Sequence, residues 1–174
     1  YKRQAPPLPE PFVLRPDVLQ PLKERLLAQP GEAASPLAIC AQHGLGGIGR
    51  STLAAALAYD AEVQGRFKDG ILWATLGRQP DVLSLLSGWI HALRDYQLHP
   101  LTVESASAHL RTLLEEKDCL LVIDDAWQAE HIRPFMAGGQ NCRARITTWQ
   151  AQVAGAAGAE AVELPPLPAG QALA

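Results

Sequence analysis

The chain has 174 residues, 48% of them hydrophobic, which is enough for one domain with its own core. Its 14 glycines and 14 prolines stay below the fraction that marks disorder, and no apolar run has membrane-spanning length or the pattern of a signal peptide. A formal charge of −3 leaves no basic surplus for a phosphate backbone, so a nucleic-acid-binding domain is disfavoured; Cys40, Cys119 and Cys142 lack metal-ligand spacing and read as reduced core thiols of a cytoplasmic module.

Residues 1–11 contain Pro6, Pro7, Pro9 and Pro11 and read as a proline-rich, extended lead-in to a domain at 12–174; the tyrosine start suggests an excised fragment. A first helix opens near Pro16-Asp17, where Val18, Leu22 and Leu26 recur four apart and Leu19 and Leu27 widen the stripe. Leu37-Ala38-Ile39-Cys40-Ala41 then reads as a buried strand.

The stretch Gly44-Leu45-Gly46-Gly47-Ile48-Gly49-Arg50-Ser51 fits the phosphate-binding pattern G-x-x-x-x-G-K-S/T at every position but the lysine, where Arg50 stands. Backbone N–H groups can wrap a phosphate chain only if the backbone approaches closely and turns sharply, and glycine permits both. Ser51 is placed to coordinate Mg2+. From Thr52 an alanine and leucine run to Ala58 has strong helix propensity, so a helix N-terminus points at the phosphates. Strand, glycine loop and helix together are the context the motif requires.

Gly65 to Gly70 reads as a turn, Ile71 to Leu76 as a second strand, and Pro80-Asp81 as the opening of a helix whose Leu83, Leu86, Ile90 and Leu93 face the sheet. A further helix, around Val103 to Lys117, leads to Cys119-Leu120-Leu121-Val122-Ile123-Asp124-Asp125. That run reads as a buried parallel strand ending in two carboxylates at the sheet edge where ligands bind. Asp124 can hold Mg2+ through water, and Asp125 can orient or deprotonate an attacking water. Gln128 to Phe135 is weakly helical, Arg143 to Thr147 a fourth strand and Glu160 to Leu164 a fifth. The alternation implies an α/β fold of three layers around a mostly parallel five-stranded sheet.

Several conspicuous residues take a plain structural reading. His43 beside the glycine loop reads as a strand-end residue, Trp73, Trp89 and Trp127 as packing residues, and Glu115-Glu116 as a solvated helix face.

These motifs resemble the NB-ARC nucleotide-binding domain of STAND-class P-loop signalling ATPases. The resemblance rests on GLGGIGRSTLA at 44–54, DGILWATLG at 69–77, LLVIDDAW at 120–127 and ARITTWQAQVA at 144–154, with VELPPLPAGQALA at 162–174 in support. It implies a molecular switch in which ADP holds a closed state and ATP favours an open, oligomerising one. Gly44, Gly46, Gly47, Ile48, Gly49, Arg50, Ser51 and Thr52 would hold the phosphates, Ser51 and Asp124 the Mg2+, and Asp125 the hydrolytic water. Thr148 falls in the family's threonine pair near the γ-phosphate, and Val13 and Arg15 fall where its N-terminal segment meets adenine. Lid, sensor and effector domains would lie outside this chain, with the lid's first helix cut short at Gln171-Ala172-Leu173-Ala174 and oligomerisation expected only of the full-length ATP state.

Two positions depart from that pattern. Arg50 replaces the loop lysine, keeping charge but changing reach, and Trp149 replaces the arginine of Thr-Thr-Arg, removing a candidate γ-phosphate ligand. Two readings follow: a slow ATP-hydrolysing switch, with Arg50, Asp124 and Asp125 as catalytic candidates, or a module that binds ADP or ATP without turnover. A small GTPase or kinase is disfavoured, because no Asn-Lys-x-Asp segment occurs.

Overall fold

A computed structural model describes residues 4–10, 15–28, 36–41 and 49–164. In chain order they form α1 (Pro16–Leu27), β1 (Leu37–Ala41), α2 (Arg50–Tyr59), α3 (Ala61–Arg66), β2 (Gly70–Gly77), α4 (Val82–Ala92) and α5 (Val103–Leu114). There follow β3 (Cys119–Ala126), α6 (Ala129–Ile132), a 3-10 turn (Arg133–Phe135), β4 (Arg143–Thr148), α7 (Ala151–Ala156) and β5 (Glu160–Leu164). The strands make one five-stranded sheet in the order β2-β3-β4-β1-β5, and every pairing is parallel.

That order explains the layers. The chain leaves β1 for β2 at the far edge, whereas β2, β3, β4 and β5 step back in the opposite direction. Right-handed crossovers in opposite directions must put their helices on opposite faces. Accordingly α4, α5 and α7 pack with Leu72, Leu121, Ile123 and Ile146 on one face. On the other, α2 and α3 pack with Ile71, Trp73, Leu120 and Val122, while α1 joins α2 over Ile39. The first core is anchored by Trp89, which meets Phe135 edge-on at 4.9 Å between ring centroids. Because β1 and β4 are neighbours whose chains depart in opposite directions, their carboxyl ends form the switch-point crevice where open α/β sheets bind ligands.

Two short helices were not apparent in the sequence pattern. Gly65 lies inside α3 rather than in a turn, because Asp60 caps that helix by accepting from the Glu62 and Val63 N–H groups and Val63 is buried; the turn is confined to Phe67–Asp69. The six residues of α7 are mostly alanine and glycine and carry too little amphipathic pattern to announce a helix. The extended segment from Gln4 covers the edge strand: the Gln4 N–H donates to the Ile71 carbonyl at 3.5 Å, and its Oε1 accepts from the Trp73 N–H at 3.1 Å.

Candidate functional site

Alternation along the strands decides which side chains meet. On β3, Leu120 and Val122 face α2, so Asp124 does too; on β2 Thr75 follows Ile71 and Trp73 onto that face, and on β4 Thr147 lies opposite in phase to Ile146. Thr75 and Asp124 are register partners. The first turn of α2 brings Ser51 over them.

The result is a buried carboxylate, 5% exposed, ringed by hydroxyls. Asp124 Oδ1 accepts from Ser51 Oγ at 2.6 Å and from Thr147 Oγ1 at 2.5 Å, and its Oδ2 accepts from Thr75 Oγ1 at 3.4 Å. Short bonds to an ionised acceptor hold the carboxylate rigidly. Trp73 Nε1 donates to Thr75 Oγ1 at 3.0 Å, fixing that hydroxyl from behind.

Asp125 is set apart by its backbone. Its φ of 52° lies in the left-handed region, at the irregularity where the β3 to β4 register shifts between Ile123 and Ala126. Such a bulge re-aims a side chain out of the strand's alternation. The Asp125 N–H donates to Thr147 Oγ1 at 2.8 Å, and its Oδ1 accepts from Trp127 Nε1 at 3.1 Å. Thr147 therefore links both aspartates, a role the sequence reading did not give it. Thr148 Oγ1 donates instead to the Ala126 carbonyl at 2.8 Å, tying β4 to the end of β3.

Arg50 starts α2 and is buried, 6% exposed. Its guanidinium carbon lies 3.7 Å from the centroid of the Trp149 ring. The two departures from the family pattern thus touch each other. Burial pulls the Arg50 pKa below that of a free guanidinium, opposed by the charges of Asp125, Cys40 and Asp124. Trp149 stands 6.2 Å from Trp127, ring planes 32° apart, and the Arg78 guanidinium lies 4.4 Å over the Trp127 ring. Trp127 is therefore part of a stacked row, not of the core; Trp73 and Trp89 are buried packing residues.

Among the remaining candidates, Gly49 caps α2 and Thr52 lies in its first turn. Arg15 caps α1, its carbonyl accepting from the N–H groups of Val18 and Leu19. Val13, His43, Gly44, Gly46, Gly47 and Ile48 lie outside the described residues. Ser51 and Asp124 supply only hard oxygen donors, and no group of three His, Cys, Asp or Glu gathers around a metal position among the described residues. That donor set suits Mg2+, which takes one or two protein oxygens and completes its shell from phosphate and water.

The sequence model of the NB-ARC domain matches residues 16–166. The chain is 31% identical over 179 residues to the regulatory protein AfsR of Streptomyces coelicolor, an alignment spanning 98% of this chain and 18% of that protein. It is 30% identical over 167 residues to AfsR of Streptomyces griseus, spanning 92% and 16%, and 26% identical over 121 residues to the probable disease resistance protein RF45 of Arabidopsis thaliana, spanning 64% and 12%. The chain thus spans less than a fifth of each of these relatives. The structure of the Aeropyrum pernix ORC2 protein in ADPNP and ADP complexes superposes with a TM-score of 0.60 at 16% identity, over 94% of this chain and 50% of that one, which is a likeness of fold.

Proposed function

Because the chain belongs to the NB-ARC domain family, we propose that it is the nucleotide-binding switch module of a signalling ATPase, taking ADP or ATP with Mg2+ and hydrolysing ATP slowly. The observation that carries this reading is the 2.6 Å contact between Ser51, in the first turn of α2, and the buried Asp124 at the end of β3. A phosphate-loop hydroxyl and a strand-end carboxylate meet there beside a helix N-terminus, at the sheet's switch point.

In this proposal the backbone from Gly44 to Gly49 and the positive end of α2 receive the phosphates, with Arg50 as their cation. Ser51 and Asp124 hold Mg2+, which when bound supplies neutralisation of phosphate charge. Asp125, aimed by the bulge and steadied by Trp127, orients the attacking water. Thr52, Thr148, Val13 and Arg15 complete the proposed contacts to nucleotide. The relatives' greater length leaves room for lid, sensor and effector domains, and the ATP-dependent assembly belongs to the whole protein. No described helix is long and apolar enough to cross a membrane, and a cytoplasmic location accords with the reading.

A second reading, binding without turnover, is favoured by one feature: Asp125 and Arg50 are each engaged by an indole, Trp127 and Trp149.

Thermal unfolding with and without Mg2+ nucleotide tests the binding. Millimolar ADP or ATP raises the melting temperature by mass action, and no shift in nucleotide-free protein would refute the proposal. Gly49→Val abolishes the shift. A Cβ at Gly49 meets Leu164 Cδ1 at 3.8 Å, an ordinary contact, so the position itself admits a side chain and the added methyls act by crowding the phosphates. Phosphate release from ATP separates the two readings, being slow but measurable in the first and absent in the second.

A further inference from the structure

Four side chains from four separate segments form a row along the carboxyl edge of the sheet. Arg78 follows β2, Trp127 follows β3, Trp149 follows β4 and Arg50 starts the helix after β1, so the row runs in the spatial order β2-β3-β4-β1. Cation, ring, ring and cation succeed one another at 4.4, 6.2 and 3.7 Å. Arg50 ends this row, and its Nη1 has no hydrogen-bond partner among the described residues.

A stacked guanidinium uses its face. Its N–H donors lie in the plane and stay available to an anion, so ring and phosphate bind the same group without competing. A lysine would need no such support, being a point charge on a flexible stem, but a planar fork must be oriented before it can grip phosphate oxygens. The indole at 149 supplies that orientation. An arginine there would bring a second cation against the first.

Building on the nucleotide reading above, we propose that Trp149 is a positioning residue for Arg50: its ring face fixes the plane of the guanidinium and presents the in-plane donors to the phosphates of a nucleoside diphosphate or triphosphate. The two departures are then one compensated pair. Arg50 needs a ring beside it, and Trp149 acts on the ligand only through Arg50.

Calorimetric titration of the 174-residue protein with Mg2+-ADP, over Trp149→Leu and Trp149→Phe in both the Arg50 and Arg50→Ala backgrounds, tests this. Trp149→Leu weakens binding about tenfold, the size of a partly desolvated cation–π contact, and Trp149→Phe, which keeps a ring face, restores most of it. In the Arg50→Ala background Trp149→Leu causes no further loss. Equal loss in both backgrounds would show a merely structural role, unchanged binding by Trp149→Leu would show that the ring contributes nothing to the ligand, and tighter binding would show that it restrains Arg50 from the ligand; each overturns the inference. If Trp149→Leu does not fold, tryptophan emission decides. Arg50→Ala changes it in protein carrying Trp149 and not in Trp149→Phe, and no such difference would refute the contact. Absence of ADP and ATP binding by the unsubstituted protein would instead remove the nucleotide reading, and the inference with it.

Discussion

Two arginines are buried among the described residues, on the same face of the sheet, and their surroundings differ. Arg50 lies at the carboxyl edge, where Asp125 and Asp124 act on its charge and Trp149 covers its face. Arg145, 2% exposed, is two residues before Thr147 on β4 and sits beneath α1. Its Nη2 donates to the Leu22 carbonyl at 3.2 Å, while Nε and Nη1 find no partner among the described residues. Burial pushes its pKa down to about 9, and the charged neighbour acting on it, Arg25, is another cation. A buried cation beside acids has its charge offset where it stands, at the crevice end of the sheet. One under a helix with a single carbonyl is a cost to folding.

Asp124→Ala takes a carboxylate from the neighbourhood of Arg50 and leaves Ser51 and Thr147 without their acceptor. Two hydrogen bonds to a charged group are worth about 1.5–3 kcal/mol each, so unfolding free energy without nucleotide falls by about 3 kcal/mol. In a chain of this size that lowers the melting temperature by about 9 °C. Urea unfolding checks it. An unchanged midpoint would mean that the cost of burying Asp124 cancels its bonds and that the carboxylate serves the ligand alone.

Arg145 offers the opposite sign. Arg145→Met removes a buried charge that has no ion-pair partner among the described residues and fills the space with an apolar chain of similar length, so stability rises by about 2 kcal/mol in the same urea series. A loss instead would show that the bond to Leu22 anchors α1 more strongly than the buried charge repels it. Nucleotide affinity should not follow stability here, which separates the two arginines by role.

Much of this arrangement is local in sequence, and that part was legible. The run from Cys119 to Asp125 declares a buried strand with acids at its end, and β4, β5 and the face of α4 follow from equally plain periodicities. What joins them is not local. Ser51 and Asp124 are 73 positions apart, and nothing in either segment says that β4 will lie between their strands. The same gap hides Thr75 and Thr147, ordinary strand residues until strand order places them on either side of Asp124. Trp127 reads as packing because an apolar strand runs just before it, yet it follows the strand end and meets Arg78, which follows another strand. Arg50 and Trp149 are visible as departures from a family pattern; that they touch is a property of the fold. Arg145 alternates correctly for a buried position, and its charge gives no sign of where it points.

The smallest expected effect concerns the helix above Arg145. α1 is tied to α3 by Lys23, whose Nζ lies 2.9 Å from Asp60 and 2.7 Å from Glu62. Asp60 also caps α3. Burial alone would raise its pKa, but the Lys23 ammonium and the Val63 and Glu62 N–H groups outweigh burial and hold it below the ordinary carboxylate value. A carboxyl lowered on folding stabilises the protein above its unfolded pKa, about 3.9, and loses that contribution as pH falls through the folded value. Asp60→Asn keeps an acceptor for the cap and discards the charge. The stability difference between the two proteins is therefore full at pH 7, shrinks below about pH 4 and disappears once the folded carboxyl is protonated as well. It stays smaller than the changes at Asp124 and Arg145, and added salt reduces it because the pair is partly open to solvent. A difference that stayed flat from pH 7 to pH 2 would place Asp60's contribution in the cap alone, leaving α1 held over Arg145 by Leu22 and Leu26 rather than by charge.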